Sequence, residues 1–428
     1  MLPENIMALI FHVYCSQELY QASDDTHQTL TGLESVFPNS SFLKTQRALL
    51  YYHSKGMSGD YCIDLRFHVD NFLDFEEASG IFAEILIQSP HRLDSLDHYS
   101  NILYVMGARP QLAFIAQLAT ATDKFRPETC CVVGNYYSLK SEHEKAVMYF
   151  RRALTLDRNF LSAWTLMGHE YIEMKNTHAA IESYRRAVDV NRKDYRAWYG
   201  LGQAYEVLDM SFYALFYYQR AAALRPYDPK MWQAVGTCYA KMGRLEPSIK
   251  AMKRALVAGS YYEPGSFDDG GGPNAAGQGS LTGRKILDPD TLHQIATLYE
   301  RLGDEDEAAA YMELTLQQET GEVERVEVDS DDDDDVVVDE DRSDGGADVP
   351  RRRAQATNDN SHETETVGGT GVTATTSKAR LWLARWALQH GDLSRADQLA
   401  GELCQDGIEV EEAKALMRDV RARREGGG

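Results

Sequence analysis

The stretch WTLMGHEYIEMKN, residues 164–176, contains the residue types of a general base or a metal site. His169 is followed by Glu170 and, one helical turn further on, by Glu173, so an imidazole and two carboxylates would lie close together on a helix. The same stretch carries Trp164 and Tyr171, which more often belong to a hydrophobic framework. The spacing of related residues elsewhere in the chain decides between the chemical and the structural interpretation.

Other sequence patterns that carry chemistry are missing. The sequence contains no HExxH zinc motif and no GxxxxGK[ST] phosphate loop, and Gly270–Gly272 lie in a low-complexity segment with no strand before them. None of the six cysteines forms a CxxC pair, and Cys130 and Cys131 fall inside a helical pattern. Reduced, buried thiols are therefore favoured over zinc or disulfides. We predict no catalytic residue, no metal and no cofactor.

A repeating pattern accounts for most of the opening stretch. An aromatic residue, a glycine four residues later and a tyrosine three residues after that recur at equal spacing in consecutive units. The second half of each unit repeats as well, with small residues and one aromatic or long apolar residue at fixed places. The framework positions that we predict are Trp164, Gly168, Tyr171, Ala180, Trp198, Gly202, Tyr205, Trp232, Gly236 and Tyr239.

This period and these residue types resemble the tetratricopeptide repeat, a helix–turn–helix unit of about 34 residues. Glycine in the first helix (helix A) and alanine in the second (helix B) allow the two helices to approach closely. Because one unit cannot bury its apolar face alone, neighbouring units must stack. We therefore predict an all-α fold, a right-handed tetratricopeptide superhelix (an α-solenoid) with disordered insertions and a concave groove lined by the A helices.

The regularity of the repeat divides the chain into segments. A regular array is predicted over residues 93–262, and another unit over 289–322. The Gly-rich segment 263–288 is predicted to be a loop, and residues 323–377 are predicted to form an acidic, disordered linker. The other predictions are degenerate repeats over 1–92 with an insertion near 57–70, regular units at 93–126, 127–160, 161–194, 195–228 and 229–262, and a C-terminal helical pair over 378–424.

The charge of the chain is concentrated in one place. Its formal net charge is −22, of which −13 falls in the acidic tract, residues 319–348, where 15 acidic residues accompany two arginines. Such a run is more often a solvated linker than a binding segment. No basic stripe stands out along the sequence, so we predict no nucleic-acid partner.

No targeting signal is recognisable near the N-terminus. No Lys or Arg precedes the short apolar run in MLPENIMALIFHVY, and no stretch approaches the ~18 apolar residues of a membrane span. We expect an intracellular, soluble protein with no membrane partner. Because a repeat begins directly at Met1, without a polar capping helix before it, we also expect that the N-terminal part of the array is missing.

Helix A residues that do not belong to the framework are the candidate ligand contacts. We predict a peptide-binding groove lined by Asn135, Thr165, His169, Glu173, Tyr199, Gln203 and Glu206. The amides of Asn135 and Gln203 suit a peptide backbone, and the carboxylates of Glu173 and Glu206 suit a basic side chain such as arginine. The alternative is a solvated inner face that binds no ligand.

Several strings exceed the generic repeat pattern and resemble one family. ETCCVVGNYYSLKSEHEKAVMYFRRAL, AWTLMGHEYIEMKNTHAAIESYRRAV and DYRAWYGLGQAYEVLDMSFYALFYYQRAAALRPYD are similar to subunit eight of the anaphase-promoting complex, or cyclosome. The resemblance is close over about residues 90–260 and looser over residues 3–90 and 289–420.

The resemblance implies a non-catalytic scaffold subunit of a multi-subunit cullin–RING ubiquitin ligase that acts in mitosis and cell division, in the nucleus and cytoplasm. It implies sister repeat subunits as partners, and coactivators that dock in the predicted groove through a basic C-box-like motif. Members of the family also form homodimers through N-terminal repeats. We expect this chain to lack those repeats, so the resemblance does not predict a homodimer for it.

Two other classes of protein compete with this interpretation. A co-chaperone adaptor that grips acidic C-terminal tails needs lysine and asparagine together on helix A, but Cys131 rather than lysine stands four residues before Asn135. An enzyme with a regulatory repeat array needs a separate catalytic domain, and only repeats and predicted disorder follow residue 262. A repeat adaptor for the peptide tails of another partner remains the alternative function.

Overall fold

The computed structural model describes residues 4–18, 24–54, 69–261, 287–320, 371–406 and 410–426. Within these ranges all regular secondary structure is α-helical, in nineteen helices, which confirms the predicted all-α class. The chain divides into two compact units, Met1–Tyr262 and Glu263–Gly428. None of the described helices is long and apolar enough to cross a membrane.

The described part of the N-terminal unit contains fourteen helices. They are α1 (Glu4–Glu18), α2 (Asp24–Val36), α3 (Ser41–Ser54), α4 (Val69–Gln88), α5 (Leu96–Val105), α6 (Arg109–Thr122), α7 (Pro127–Leu139), α8 (His143–Leu156), α9 (Leu161–Glu173), α10 (Thr177–Val190), α11 (Tyr195–Val207), α12 (Ser211–Leu224), α13 (Pro229–Lys241) and α14 (Leu245–Tyr261). From α5 onward each helix packs against the next in the chain. The odd-numbered helices of this stack are A helices and the even-numbered ones are B helices.

The described part of the C-terminal unit contains five helices, α15 (Pro289–Leu302), α16 (Glu305–Thr320), α17 (Ala374–His390), α18 (Leu393–Asp406) and α19 (Val410–Gly426). The segment predicted as a helical pair therefore holds three helices. The predicted linker also ends earlier than expected, because the side chain of Thr373 caps α17 in a reciprocal capping box with Thr376. The remaining parts of the predicted insertions, residues 57–68, 263–286 and 323–370, lie outside the described residues.

Several A helices begin at capping residues that the sequence supplies. The side chains of Asp194, Asp228 and Asp288 accept hydrogen bonds from backbone amides in the first turns of α11, α13 and α15. Pro229 and Pro289 occupy the first turn of two of these helices, where a missing amide hydrogen costs nothing. These local signals fix the starts of the helices that carry the candidate groove.

Each turn from helix A to helix B in this array contains one residue in the left-handed region. These residues recur at the repeat period, with φ between 57° and 76°, and they are Gly107, Ser141, Lys175, Asp209 and Gly243. The backbone amide of the next residue donates to a carbonyl near the end of helix A. For example, Asn176 N donates to Tyr171 O at 2.8 Å. Three of the five residues are not glycine, so their Cβ atoms make the left-handed conformation less favourable.

We expect Lys175→Gly to raise the free energy of unfolding of the N-terminal unit by about 1 kcal/mol, because glycine adopts the left-handed conformation without a Cβ clash. Asp209→Gly should raise the free energy of unfolding by less, since aspartate tolerates the left-handed conformation better than lysine does. Urea denaturation followed by circular dichroism measures both changes. A Lys175→Gly protein that is no more stable than the parent would contradict the expectation.

Two of the three framework glycines, Gly168 and Gly202, lie where an aromatic ring crosses between helix A and helix B. A Cβ atom added to Gly168 would lie 2.5 Å from the ring of Tyr184, and one added to Gly202 would lie 2.5 Å from the ring of Tyr218. Both rings are almost completely buried. Glycine is therefore required at these positions because the ring already occupies the space of a side chain.

The aromatic residues of the framework also make hydrogen bonds that repeat along the stack. Nε1 of the half-buried Trp164, Trp198 and Trp232 donates to the backbone carbonyl six residues earlier, at 2.7–2.9 Å. The guanidinium of Arg185 donates to the hydroxyl of Tyr205 on the next A helix at 2.7 Å. Each tryptophan thus ties helix A to the turn that connects it to the preceding repeat.

Candidate functional site

Six of the seven residues predicted for the groove lie in the wall of one cavity of about 280 Å³ in the N-terminal unit. Helices α9 and α11, the A helices of successive repeats, supply these six, and α3, α5 and α13 complete the wall. The six are Thr165, His169, Glu173, Tyr199, Gln203 and Glu206. They share one face because the framework residues of α9 and α11 occupy the opposite face, against the B helices.

His169 is held in the cavity wall as a neutral side chain. Its Nδ1 lies 2.9 Å from the hydroxyl of Tyr184, and the two rings meet edge to face. Burial, with a further contribution from the charge of Arg196, lowers the pKa of His169 to about 4. Burial also raises the pKa of Tyr184 above its usual value. At neutral pH the cavity therefore presents an uncharged imidazole that is hydrogen-bonded to a framework tyrosine.

Glu170, the neighbour of His169 in the sequence, belongs to a different set of contacts. It is buried, and its carboxylate accepts a hydrogen bond from Ser138 Oγ at 2.6 Å and lies 2.8 Å from His143 Nδ1. Burial raises the pKa of this carboxyl. Across the described residues, no group of three or more His, Cys, Asp or Glu side chains is arranged to hold a metal ion. The side chains of His169 and Glu170 thus have different partners and do not contribute to one site.

The carboxylate of Glu206 is already engaged within the protein. One oxygen accepts a hydrogen bond from the hydroxyl of Tyr218 and the other from the ammonium of Lys241, both at 2.6 Å. Burial, together with the nearby carboxylate, raises the pKa of Tyr218 above its usual value. The charge of Glu206 is therefore largely compensated by Lys241, which the sequence prediction for this residue did not include.

Glu173 differs from Glu206 in being available to a ligand. Its side chain is exposed at the cavity, and it forms no ion pair with any residue that the structure describes. Two cations, Arg196 and Lys230, also line the cavity, and Arg196 Nε lies 2.9 Å from the buried carboxylate of Asp194. The cavity therefore offers one unpaired carboxylate at a wall that also carries positive charge.

Asn135 is the predicted groove residue that this cavity does not include. It is 2% exposed, and its Nδ2 donates to Ser100 Oγ at 2.8 Å and to Asn101 Oδ1 at 2.6 Å. Asn101 does line the cavity, where its Nδ2 lies 3.5 Å from the hydroxyl of Tyr52. The prediction that Asn135 lines the groove is thus corrected. Its amide forms hydrogen bonds inside the stack, and there it orients the side chain of Asn101.

The other cavity residues that sequence reasoning missed come from α3, α5 and α13. Asn101 stands one repeat period before Asn135, so the repeat spacing contained a signal for it. Tyr52 lies on α3, in the irregular part of the array, where the spacing gives no guide. Lys230 and Met231 line the cavity from the start of α13, the A helix that follows α11 along the chain.

We expect the N-terminal unit to become less stable as the pH falls from 7 to 5. The pKa of His169 is about 4 in the folded protein and 6.5 as its ordinary value, so the unfolded chain takes up the proton first. The contribution of neutral His169 to the free energy of unfolding is therefore fully present above pH 6.5 and is lost as the pH falls towards 4. At pH 5 the loss amounts to about 2 kcal/mol. Urea unfolding at pH 7, 6 and 5 measures this loss.

The control for this pH dependence is His169→Gln, which keeps a polar side chain but cannot be protonated. The raised pKa of Glu170 acts with the opposite sign, since protonation of that carboxyl below its raised pKa favours the folded state. This contribution is present in both proteins and cancels in their comparison. The same loss of stability in both proteins would contradict the assignment to His169.

The sequence comparisons and the helix pairs agree on the class of protein. Tetratricopeptide-repeat family models match residues 127–160, 168–208, 229–256 and 289–317. These ranges fall on α7 to α11, on α13 and α14, and on α15 and α16, all of which belong to stacked helix–turn–helix pairs. The matched parts of the chain are tetratricopeptide repeats.

The comparisons also confirm the resemblance to one family. A family model described as "Anaphase promoting complex subunit 8 / Cdc23" matches residues 1–48. The chain is 45% identical over 175 residues to "Anaphase-promoting complex subunit CDC23" of Saccharomyces cerevisiae, which is 41% of this chain and 25% of that protein. It is 45% identical over 147 residues to "Anaphase-promoting complex subunit 8" of Arabidopsis thaliana, which is 34% of this chain and 22% of that protein. The chain spans about a quarter of the length of these relatives.

A solved structure also aligns with most of the chain, at low sequence identity. The structure described as "APC/C hetero-tetramer Cut9-Hcn1" covers 95% of this chain and 68% of its own, at 15% sequence identity and a TM-score of 0.45.

Proposed function

We propose that the chain acts as a non-catalytic scaffold subunit of an anaphase-promoting complex, in the nucleus and cytoplasm of dividing cells. The proposal is supported by the resemblance to subunit 8 and CDC23 and by the stacked repeats, which present extended surfaces suited to binding. On this proposal the partners are sister repeat subunits, and a cullin–RING pair in the same complex carries out ubiquitin transfer.

Affinity purification of the tagged chain from dividing cells, followed by mass spectrometry, tests the assignment to the complex. We expect a cullin, a RING protein and other tetratricopeptide subunits to co-purify in comparable amounts. A folded, expressed chain that recovers none of these proteins would refute the proposal.

We further propose that the cavity docks a basic, C-box-like segment of a coactivator. The observation that carries this proposal is the exposed, unpaired carboxylate of Glu173 at a cavity with aromatic and apolar walls. A guanidinium forms two parallel hydrogen bonds with such a carboxylate. Tyr199, Ile172 and Val207 supply surface for an apolar side chain, and the amide of Gln203 suits the peptide backbone.

We expect Glu173→Gln to weaken the binding of a fluorescent arginine-containing C-box-like peptide about tenfold, because a charge-assisted hydrogen bond becomes a neutral one. Fluorescence anisotropy measures the affinity. Glu144→Gln is the matched control, since Glu144 is an exposed carboxylate on helix B that does not line the cavity. Absence of binding to the folded protein, or an equal loss in the control, would contradict the docking proposal.

A second candidate function is an adaptor that binds acidic peptide tails. The observation in its favour is the presence of Arg196 and Lys230 in the cavity wall. A peptide with an acidic C-terminal tail provides the direct comparison in the same anisotropy assay. Binding of this peptide alone, lost in Lys230→Ala and unchanged in Glu173→Gln, would select the adaptor function over coactivator docking.

A further inference from the structure

The outer face of α12 differs from the outer faces of the two B helices on either side of it, α10 and α14. On α12, the side chains of Phe212, Tyr213, Phe216 and Leu224 are 74%, 52%, 48% and 39% exposed. The residues one repeat period away from Phe212 and Phe216 are polar: His178 and Glu182 on α10, and Glu246 and Lys250 on α14. The repeat pattern therefore does not require aromatic residues at these outer positions.

Helix α12 is apolar on both of its sides. Its inner side, with Leu215, Tyr218 and Ala221, is buried in the stack, where α12 packs against α11 and α13. A helix at a protein surface normally has a polar outer side, and a helix that is apolar all round is normally buried. With about 200 Å² for a whole aromatic side chain, the three outer rings expose roughly 350 Å², the size of apolar patch that marks a binding surface.

Four residues of the outer side form one ridge along α12. Phe212, Phe216, Arg220 and Leu224 follow one another at intervals of four residues, so their side chains lie in a line. We call these four residues and Tyr213 the α12 patch. Ridges of this spacing pack into the grooves of a second helix. The ridge spans about 18 Å, which a partner helix of about twelve residues covers.

Arg220 gives the α12 patch a positive charge. Its guanidinium carbon lies 5.5 Å from the ring centroid of Phe216, and it forms no ion pair with any residue that the structure describes. α12 contains no Asp or Glu, and Arg186 and Arg254 are exposed at the same position of α10 and α14. A guanidinium stacked on a ring keeps its N–H edge available for a carboxylate.

We propose that the α12 patch docks an acidic amphipathic helix of another protein. The apolar side of that helix packs on Phe212 and Phe216, and its Asp or Glu side chains pair with Arg220. Aromatic residues and arginine are the residue types enriched at the centres of protein interfaces. The candidate cavity is lined from A helices, so this second surface is separate from the cavity and from its proposed ligand.

The charges on and around the α12 patch favour an acidic helix over other occupants. A symmetric dimer through this patch would bring two Arg220 side chains into one interface, and α12 supplies no carboxylate to compensate them. Nucleic acid and anionic lipid are both repelled by carboxylates, and Glu182 and Glu246 are exposed on the two flanking helices. A partner helix can place its own charged residues to avoid these two glutamates.

The test uses the full-length chain and two fluorescent helical peptides of about sixteen residues each. Both probes carry leucine at every third or fourth position on one side. The acidic probe has glutamate at the positions that flank the leucines, and the basic probe has lysine at the same positions. In fluorescence anisotropy titrations, we expect the acidic probe to bind at least tenfold more tightly than the basic probe.

Substitution of the aromatic residues locates the binding surface. Phe212→Ser together with Phe216→Ser should weaken binding of the acidic probe at least tenfold, because the apolar contact is lost. Met148→Ser together with Leu156→Ser is the matched control, since both are exposed apolar residues on α8, two repeats before α12. Circular dichroism confirms that each protein is folded, as expected for substitutions of exposed side chains.

Substitution of Arg220 tests the charge separately from the apolar contact. Arg220→Glu should weaken binding of the acidic probe and strengthen binding of the basic probe, so that the ratio of the two affinities falls at least tenfold. Arg158→Glu changes the net charge equally at an exposed position in the turn before α9. In this control the ratio should stay within about twofold of the parent value.

Failure of the peptide experiment in any of three ways would overturn the proposal. The first is the absence of binding of the acidic probe at up to about 1 mM. The second is equal binding of the acidic and basic probes to the parent chain. The third is an equal loss of binding in the aromatic double variant and in its control on α8.

Other occupants give results that would also overturn the proposal. Self-association of the parent chain in analytical ultracentrifugation, lost in the aromatic double variant, would assign the patch to a second copy. Co-sedimentation with phosphatidylserine-containing vesicles, lost in the same variant, would assign it to a membrane surface. Displacement of the acidic probe by a single-stranded oligonucleotide at lower concentration than by unlabelled probe would assign it to nucleic acid.

Discussion

Replacing Gly168 by alanine is expected to destabilise the N-terminal unit by about 3 kcal/mol. The added Cβ would lie 2.5 Å from Cε1 and 2.7 Å from Cζ of Tyr184, whose ring is completely buried. The ring cannot move away, because a Cβ on Gly200 of α11 would also lie 2.5 Å from the same Cε1 atom. The ring is thus confined between α9 and α11, and the strain has to be taken up by the backbone.

Gly236→Ala is the matched control for this effect. Its added Cβ would lie 2.9 Å from Cε and 3.0 Å from Cγ of Met252, a flexible side chain that can change rotamer. Alanine also favours the helix over glycine by about 1 kcal/mol, so we expect a net change within about 1 kcal/mol. Thermal unfolding followed by circular dichroism compares the two proteins. Equal losses would contradict the view that the rigidity of the neighbouring ring sets the cost.

Arg380→Met is expected to destabilise the C-terminal unit by about 3–5 kcal/mol. Arg380 is 7% exposed, and its guanidinium contacts the carboxylates of Glu319 on α16 and Asp406 on α18, with Glu402 at 3.5 Å. One cation thus holds carboxylates from two neighbouring helices beside α17. Its removal leaves these carboxylates close together in a partly buried position, without a compensating charge.

Arg385→Met on the same helix is the control, because Arg385 and its partner Glu412 are both more than half exposed. The loss of such a surface pair costs at most about 1 kcal/mol. Urea unfolding of the parent and the two variants measures both losses, and equal penalties for the two arginines would refute the argument.

The framework could be predicted from the sequence because the same packing of helix A on helix B recurs from repeat to repeat and needs the same residue types each time. A ring that crosses between two helices needs a glycine opposite it, and this need returns in successive repeats, as for Gly168 and Gly202. The same periodicity identified six residues of the cavity wall, since whatever does not face helix B on α9 and α11 must face the other way. Spacing therefore determines which side of a helix a residue occupies.

Spacing does not determine which partner a polar side chain selects on that side. Asn135 has the register of a groove residue, but it bonds to Asn101 within the stack. Glu206 has the register of a ligand contact, but Lys241 on the next A helix neutralises it. Gly200 was missed because it occurs once, opposite the second face of Tyr184, and not in every repeat. The partner of each of these residues depends on which atoms lie within reach of its side chain in the folded structure.

Four arginines at the same position of successive repeats, Arg152, Arg186, Arg220 and Arg254, show a different limit of sequence reasoning. Each is separated from the next by a full repeat of mixed character, so no short window of the sequence contains two of them. Stacking of the B helices brings equivalent positions into line and produces a charged surface that linear composition hides. A search at the repeat period, applied to surface charges as well as to framework residues, detects such rows directly.

The indole hydrogen bonds of the N-terminal unit provide an intrinsic optical probe. Of the five tryptophans, Trp164, Trp198 and Trp232 are tied to the turns between repeats, while Trp382 and Trp386 lie in the C-terminal unit. Separation of two adjacent repeats would hydrate an indole and shift its fluorescence emission to longer wavelength. With phenylalanine at 382 and 386, the remaining emission would report the opening of the N-terminal repeats alone, without any attached dye.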